Sequence, residues 1–492
     1  MTTGDGVVDA LPPELLILII ERVGSDEDLL RLASASRQLH NISIEALFTR
    51  HKVVPLDEDL RLSFSTPEAA IAVLSALATS LDVVGASLDS LTYDCGWVFD
   101  PKRLLKELHL LTRYVSKLAS INQVTLRLAA PLPGWPRQWK DATEALLAAI
   151  LSKSCSSIRI NSSQMSSFHE QDVLSPWMAA IATKQSEWTK WYWPPPPETV
   201  QKDGKTSDLH TCAILTFPPF LRQFYLDTLK HNSDSLMDLT FMNIFGGGTD
   251  WDTLISNVSF PALQRLCVIY GVISRDVMVR FLVKHPTITS FEYHHIRYRT
   301  PTLKPVRYSF CEKLTDLTTS PEHILNFFPP PTKMRQLKNL TVKVDQSVRT
   351  AFHPLEDSFR RLAPFGGTLL LSLEISRPGL GFGIWFDAIP RLGTSFDPAA
   401  RPESQLRCVE KLVVDNGDWG FTENFLRGLP AWLGLFPELT EVVLIQNSQR
   451  FMSSADPLEE EVLVKLARAC PGLRSISVQG TIEWTHTFPR SS

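Results

Sequence analysis

Residues 337–344 read LKNLTVKV, with apolar side chains at Leu337, Leu340 and Val342 and polar ones at Lys338, Asn339, Thr341 and Lys343. Successive side chains of an extended strand point to opposite faces, so this alternation describes a strand with one buried and one open face. A single apolar-x-x-apolar-x-apolar match is weak, because any amphipathic strand produces it. Outward from this stretch, however, the pattern recurs. It stands at Leu88/Leu91/Tyr93, Ile121/Val124/Leu126, Cys155/Ile158/Ile160, Leu236/Leu239/Phe241, Leu263/Leu266/Val268 and Ile288/Phe291/Tyr293 on one side. On the other it stands at Leu370/Leu373/Ile375, Val409/Leu412/Val414, Leu439/Val442/Leu444 and Leu473/Ile476/Val478. Successive starts lie 33, 34, 81, 27, 25, 49, 33, 39, 30 and 34 residues apart.

Most of these intervals hold one strand and one helix, which is the signature of leucine-rich repeats. Helical patterns precede several strands, over Pro67–Leu81, Pro101–Leu118, Ala142–Leu151, Leu221–His231, Val277–His285 and Leu458–Ala469. Each strand–helix unit leaves an apolar face open until the next covers it. The expected domain over residues 56–486 is therefore an α/β solenoid, a horseshoe with a parallel sheet lining its concave side and helices outside. The competing reading is an ordinary α/β domain with chance matches. The Asn that strict repeats carry after the third apolar position is clear only at Asn161, so the array is divergent.

Two stretches interrupt the pattern. Ser162–Thr216, a Pro-rich insertion, contains WTKWYWPPPPETVQKDGKTSD from Trp188 to Asp208. Its Pro194–Pro197 run favours polyproline II, as in a ligand for an SH3 or WW domain, or it is a solvated surface loop. His294–Ser320 holds His294, His295, Arg297, Tyr298, Arg299 and Arg307. It reads either as a grip on an anionic partner or as a solvated loop between repeats.

Ahead of the array, residues 11–54 read LPPELLILIIERVGSDEDLLRLASASRQLHNISIEALFTRHKVV. Pro12 and Pro13 suit a helix start, where a missing N–H costs nothing, and Gly24 stops that helix. Ser25 followed by Asp28 resembles a capping box and predicts a second helix over Asp26–Ser36. A third is predicted over Ile42–Arg50, with Ile44, Leu47 and Phe48 on one side. In the first helix Leu15 to Ile20 are consecutive apolar residues, so apolar groups point all around the axis. Two short partner helices cover only part of such a surface. The remainder calls for docking, on the rest of this chain or on another protein.

The order LPPELL, an apolar helix, then DLLRLASASRQLH and ALF, resembles the F-box family of fungal type. The resemblance covers Ala10 to about Val54, and assigns residues 1–55 to an F-box. It implies that the Leu-Pro start and the apolar positions after it contact a small Skp-type adaptor, and through it a cullin scaffold. Carried over by position, the contacts are Leu11, Pro12, Leu15, Leu16, Ile19, Ile20, Leu29 and Leu32. One departure is Ala35-Ser36, where the family usually has Val-Ser before the third helix. The lost methyls weaken packing by about 1–2 kcal/mol at most.

Composition narrows the function classes. The 492 residues exceed one ordinary core, and 44% hydrophobic with 21% charged residues is typical of folded proteins. A net charge of −4 carries no electrostatic footprint for nucleic acid. Cys95, Cys155, Cys212, Cys267, Cys311, Cys408 and Cys470 show no paired spacing for zinc or disulfides. The apolar run Leu15–Ile20 is too short to span a bilayer, and the acidic start lacks the basic region of a secretory signal. The expected location is therefore cytoplasmic, nuclear or both, and the sequons at Asn41, Asn161, Asn257 and Asn339 are chance matches.

No catalytic motif stands out. Gly246-Gly247-Gly248 lacks the Lys-Ser/Thr of a phosphate loop, HExxH and GxSxG are missing, and His169-Glu170 and His294-His295 have no partner at metal-ligand spacing. No cofactor is expected. The resemblance implies a non-enzymatic subunit of a Skp–cullin–F-box ubiquitin ligase, with the repeat surface holding a protein substrate that the sequence does not identify. The alternative is a non-ligase repeat scaffold whose helical module caps the array. The expected concave positions are Ser90, Thr92, Asp94, Gln123, Thr125, Arg127, Arg265, Cys267, Ile269, Ser290, Glu292, His294, Asn339, Thr341, Lys343, Lys411, Val413 and Asp415. They form no acidic, basic or aromatic stripe.

Overall fold

The computed structural model describes residues 11–162, 208–294, 313–376 and 401–489, apart from short stretches within those ranges. The Pro-rich tract Trp188–Ser207, the basic run His295–Arg307 and the Gly246–Gly248 turn lie outside the described residues. The chain divides into two units, residues 1–262 and 263–492. Both are leucine-rich-repeat-like, an α/β alternation that stacks its strands in sequence order.

The first unit opens with three helices, α1 (Pro13–Glu21), α2 (Asp26–Ala33) and α3 (Arg37–His51). Ser25 Oγ accepts the Asp28 N–H at 3.4 Å and so caps α2. Ser36 Oγ accepts the Leu39 N–H at 3.2 Å, so α3 starts at Arg37 rather than at Ile42, and α2 ends at Ala33 rather than Ser36. The expected boundary missed this because Ser34 and Ser36 each serve either inside a helix or as a cap, and Ala35 between them favours a helix.

Asp26 accepts from Arg50 and His51, each at 2.7 Å, and ties the start of α2 to the end of α3. Burial alone raises its carboxyl, but the hydrogen bonds and charges of His51 and Arg50 outweigh it and hold it below the ordinary 3.8. A lowered carboxyl stabilises the fold above its unfolded value, and this is lost as pH falls through its folded value. Asp26→Asn is therefore expected to cost about 1 kcal/mol at neutral pH. In urea melts at a series of pH values, the gap from wild type should close below about pH 3.8.

The first unit continues through β1 (Asp59–Ser63), α4 (Pro67–Thr79), β2 (Ser87–Asp94), α5 (Pro101–Lys117), β3 (Ser120–Leu128), α6 (Arg137–Leu151) and β4 (Ser157–Ser162). It ends with β5 (Thr211–Ile214), α7 (Arg222–His231) and β6 (Asp238–Met242). All six strands are parallel, and Leu60, Leu91, Val124, Ile158, Cys212 and Leu239 fall opposite one another in a buried row. Between β2 and α5 sits the fully buried Glu107, which accepts from Arg103 Nε at 2.7 Å and from the Tyr93 hydroxyl. The ion pair and the phenol satisfy a carboxylate that would otherwise be prohibitive inside a core.

The second unit runs β7 (Arg265–Ile269), α8 (Arg275–Lys284), β8 (Ser290–His294), β9 (Asp316–Thr319), α9 (Pro321–Phe327), β10 (Asn339–Asp345) and α10 (Phe352–Leu362). It then forms β11 (Leu369–Ser376), a 3-10 turn at Pro402–Gln405, β12 (Val409–Asp415), α11 (Glu423–Leu433), β13 (Glu441–Gln446), α12 (Glu460–Ala469), β14 (Ser475–Gly480) and β15 (Trp484–Thr487). β7 to β14 are parallel, with Leu266, Phe291, Leu317, Leu340, Leu371, Leu412, Val442 and Ile476 in one buried row. β15 turns back antiparallel to β14 after Gly480, whose φ of 119° only glycine adopts without strain.

Each strand is entered by a turn laid on the preceding one. Thr440 donates its N–H to Glu410 O at 2.8 Å, and Arg474 donates to Thr440 O at 2.7 Å. Thr440 Oγ1 also reaches Glu410 O at 3.1 Å, and Thr289 and Ser156 repeat the device. Small hydroxyl residues there double the main-chain bond.

All eleven expected matches are strands. Four further strands, β1, β5, β9 and the antiparallel β15, escaped the pattern, and two of them correct it. β5 falls at the end of the supposed Ser162–Thr216 insertion, with Leu209, Cys212 and Ile214 in the repeat positions. β9 ends the supposed His294–Ser320 loop, its third position filled by the buried Thr319, whose hydroxyl donates to Tyr293 O at 2.9 Å. β1 has only Leu60 and Leu62 to mark it. The match at Leu370/Leu373/Ile375 is displaced. Leu371 and Leu373 pair with Leu340/Leu412 and Val342/Val414, and Leu369 with Val409, because the register shifts between Leu369 and Leu370. Leu369, Leu371, Leu373 and Ile375 make one face apolar throughout, so periodicity fixes the face but not which two of them fill the second and third positions.

Candidate interaction surfaces

In α1 two apolar rows separate. Leu16 and Ile20, one turn apart, are buried where α1 packs on α3. Leu15, Ile17, Leu18 and Ile19 stand 48%, 42%, 55% and 54% exposed. Burying such side chains is worth about 1.5–3 kcal/mol each, so a helix that leaves four in water forgoes a large stabilisation. Meanwhile α2 and α3 both pack against α4, the first helix of the repeats, and anchor the module.

The eight expected contact residues divide accordingly. Pro12, Leu15 and Ile19 are exposed, Leu11 and Leu32 are half-buried, and Leu16, Ile20 and Leu29 lie inside the helical module. Ile17 and Leu18 were not among the expected contacts, though both belong to the same exposed surface. The unbroken run Leu15–Ile20 was the signal that could have included them.

The second surface is the face of each sheet opposite its helices. Leu340, Val342, Leu412 and Val414 are buried, while Thr341, Lys343, Val413 and Asp415 alternate with them and stay half-exposed. The expected open positions all keep some exposure except Cys267, which is buried and donates its thiol to Glu292 Oε2 at 3.3 Å. On the first unit Arg127 pairs with Asp94 at 3.3 Å across β3 and β2.

On the second unit, Lys343 Nζ lies 2.7 Å from Glu292 Oε1 and 3.5 Å from Glu374 Oε2, with Asp415 opposite Glu374 in the register. Burial would lower the Lys343 ammonium, but bonding and attraction from Glu292 and Glu374 raise it above its ordinary value. Glu374 is pushed up by burial first; Lys343 lowers it and Asp415 and Glu292 raise it, and the net shift is upward. Sequence reading missed this grouping because its members come from four separate strands.

A raised carboxyl contributes stability below its unfolded value of 4.5 that is lost as pH rises through its folded value. Glu374→Gln is thus expected to stabilise the second unit at neutral pH, by less than about 1 kcal/mol given its partial exposure. Melting temperatures should differ at pH 7 and converge below pH 4.5.

Among the described residues no three His, Cys, Asp or Glu side chains gather as metal ligands. The six described cysteines form no disulfide and are buried, and burial pushes the Cys155 and Cys408 thiols up to about 11 and those of Cys212 and Cys470 to about 12. No described helix is long and apolar enough to cross a membrane. Neither the protein-family models nor the curated proteins compared with this chain match it.

Proposed function

We propose that this chain is the substrate-recruiting, non-catalytic subunit of a Skp–cullin–F-box ubiquitin ligase, acting in the cytoplasm, the nucleus or both. Residues 1–55 act as the F-box and bind a Skp-type adaptor, which joins them to a cullin. The observation that carries this reading is the exposed apolar side of α1, held out by a module whose other two helices are fastened to the repeats. Leu11, Pro12, Leu15, Ile19 and Leu32 make the contacts, together with Leu18, while Leu16, Ile20 and Leu29 keep the helices in place. The mechanism is proximity: the adaptor fixes one end, and a protein substrate on the open sheet face is held near the ubiquitin-charged enzyme. No nucleic acid, membrane, metal or cofactor enters this scheme.

A second reading, a repeat scaffold capped by the helical module, draws support from the packing of α2 and α3 on α4. Co-expression with a Skp-type adaptor separates the two. A stoichiometric complex that survives gel filtration supports the ligase reading. Two proteins that elute apart would refute it and leave the cap.

A further inference from the structure

The last described strand of the second unit is β15, and no described strand pairs with its outer side. Its register sets Phe488 opposite Arg474, and the Phe488 N–H donates to Arg474 O at 2.8 Å. In an antiparallel pair such bonds alternate. Trp484, His486 and Phe488 therefore turn their main-chain groups towards β14, and Thr485 and Thr487 turn theirs outward.

Open strand edges are normally blunted by Lys, Pro or a bulge. Residues 484–488 read WTHTF, with no charge and no Pro, and Pro489 follows immediately. An outward row of N–H and C=O groups is matched by another extended backbone and by little else. The side chains then say which backbone. WTHTF is symmetric about His486: aromatic, Thr, His, Thr, aromatic.

We propose that β15 is the seam of a homodimer, two copies pairing antiparallel about His486. In that register Thr485 of one copy faces Thr487 of the second, and each such pair exchanges both main-chain bonds. Trp484 falls opposite Phe488 of the second copy, and Thr–Thr and aromatic pairs are favourable across strands. The half-exposed row Trp484, His486 and Phe488 lies on the side of Ile476 and Val478. Its rings are already ordered, Trp484 and His486 stacked at 6.1 Å and His486 edge-on to Phe488 at 4.8 Å. The twofold operation continues this row into the same row of the second copy, covering both. Pro489 has no N–H to give to the next pair, which ends the ladder and sets its register. An interface of this kind is isologous and closes on itself.

So short a seam makes a weak dimer. Sedimentation velocity of the full chain, from micromolar to hundreds of micromolar, is expected to show a reversible monomer–dimer equilibrium. Thr485→Pro and Thr487→Pro remove only N–H groups that point away from β14, so each should move the midpoint at least about tenfold higher in concentration with an unchanged melting temperature. A Thr485→Lys/Thr487→Lys variant should dissociate at low salt and recover partly at high salt. A wild-type chain that stays monomeric throughout overturns the proposal. So does a dimer that all three variants leave intact. Neither outcome touches the adaptor-binding reading of α1.

Discussion

Replacing Leu15 and Ile19 together by Asp is expected to weaken binding to a purified Skp-type adaptor by at least about 100-fold. Both side chains sit on the exposed side of α1, about half open to solvent. Docking would strip that water away, and an aspartate in either place would be left charged, buried and unpaired. Central apolar anchors of interfaces commonly carry about 2 kcal/mol or more each, so losing two leaves little measurable affinity. The fold should not suffer, because neither residue packs inside the module. Leu16→Asp makes the contrast: Leu16 is buried against α3, and its charge should melt the helical module itself. Calorimetric titration with the adaptor, alongside thermal melts, distinguishes the cases. Unchanged affinity in a folded Leu15→Asp/Ile19→Asp variant would remove α1 from the interface.

Leu412→Ala is expected to destabilise the second unit by about 2–5 kcal/mol. The side chain is fully buried in the middle of β12, level with Leu371 on one side and Val442 on the other. Truncation leaves a cavity in the continuous row of apolar side chains, which the flanking repeats cannot close without moving their own strands. Thr341→Ala, on the opposite face of β10, should change stability by less than about 0.5 kcal/mol. Lys343→Ala is a poorer control than its surface position suggests. Removing its ammonium takes away the cation that Glu292 and Glu374 share. Denaturant unfolding followed by tryptophan fluorescence measures all three. Equal losses for Leu412→Ala and Thr341→Ala would mean the strands are turned by one residue.

The repeating architecture was legible along the chain, since it rests on local rules. A strand with one buried face must alternate, a helix start wants a cap such as Ser25, and a unit that cannot cover itself must be followed by another. From these came the eleven strands, most of the helices and the phase of Leu340, Val342, Leu412 and Val414. The local rules fell short where one position was atypical, as at Thr319 in β9, or where the apolar face ran on past the repeat, as in β11.

What lay beyond them was every question about which neighbour covers a given side chain. Leu15 to Ile20 all look alike in sequence, and only packing on α3 divides Leu16 and Ile20 from the exposed four. Glu292, Lys343, Glu374 and Asp415 are far apart in the chain and meet because β8 to β12 stack in sequence order, with β9 between the strands of Glu292 and Lys343. The reversal at Gly480, which makes β15 the last described strand of its unit, likewise follows from the pairing of strands. Periodicity reports the environment of a residue averaged along its own element, whereas contacts between elements depend on how distant segments stack.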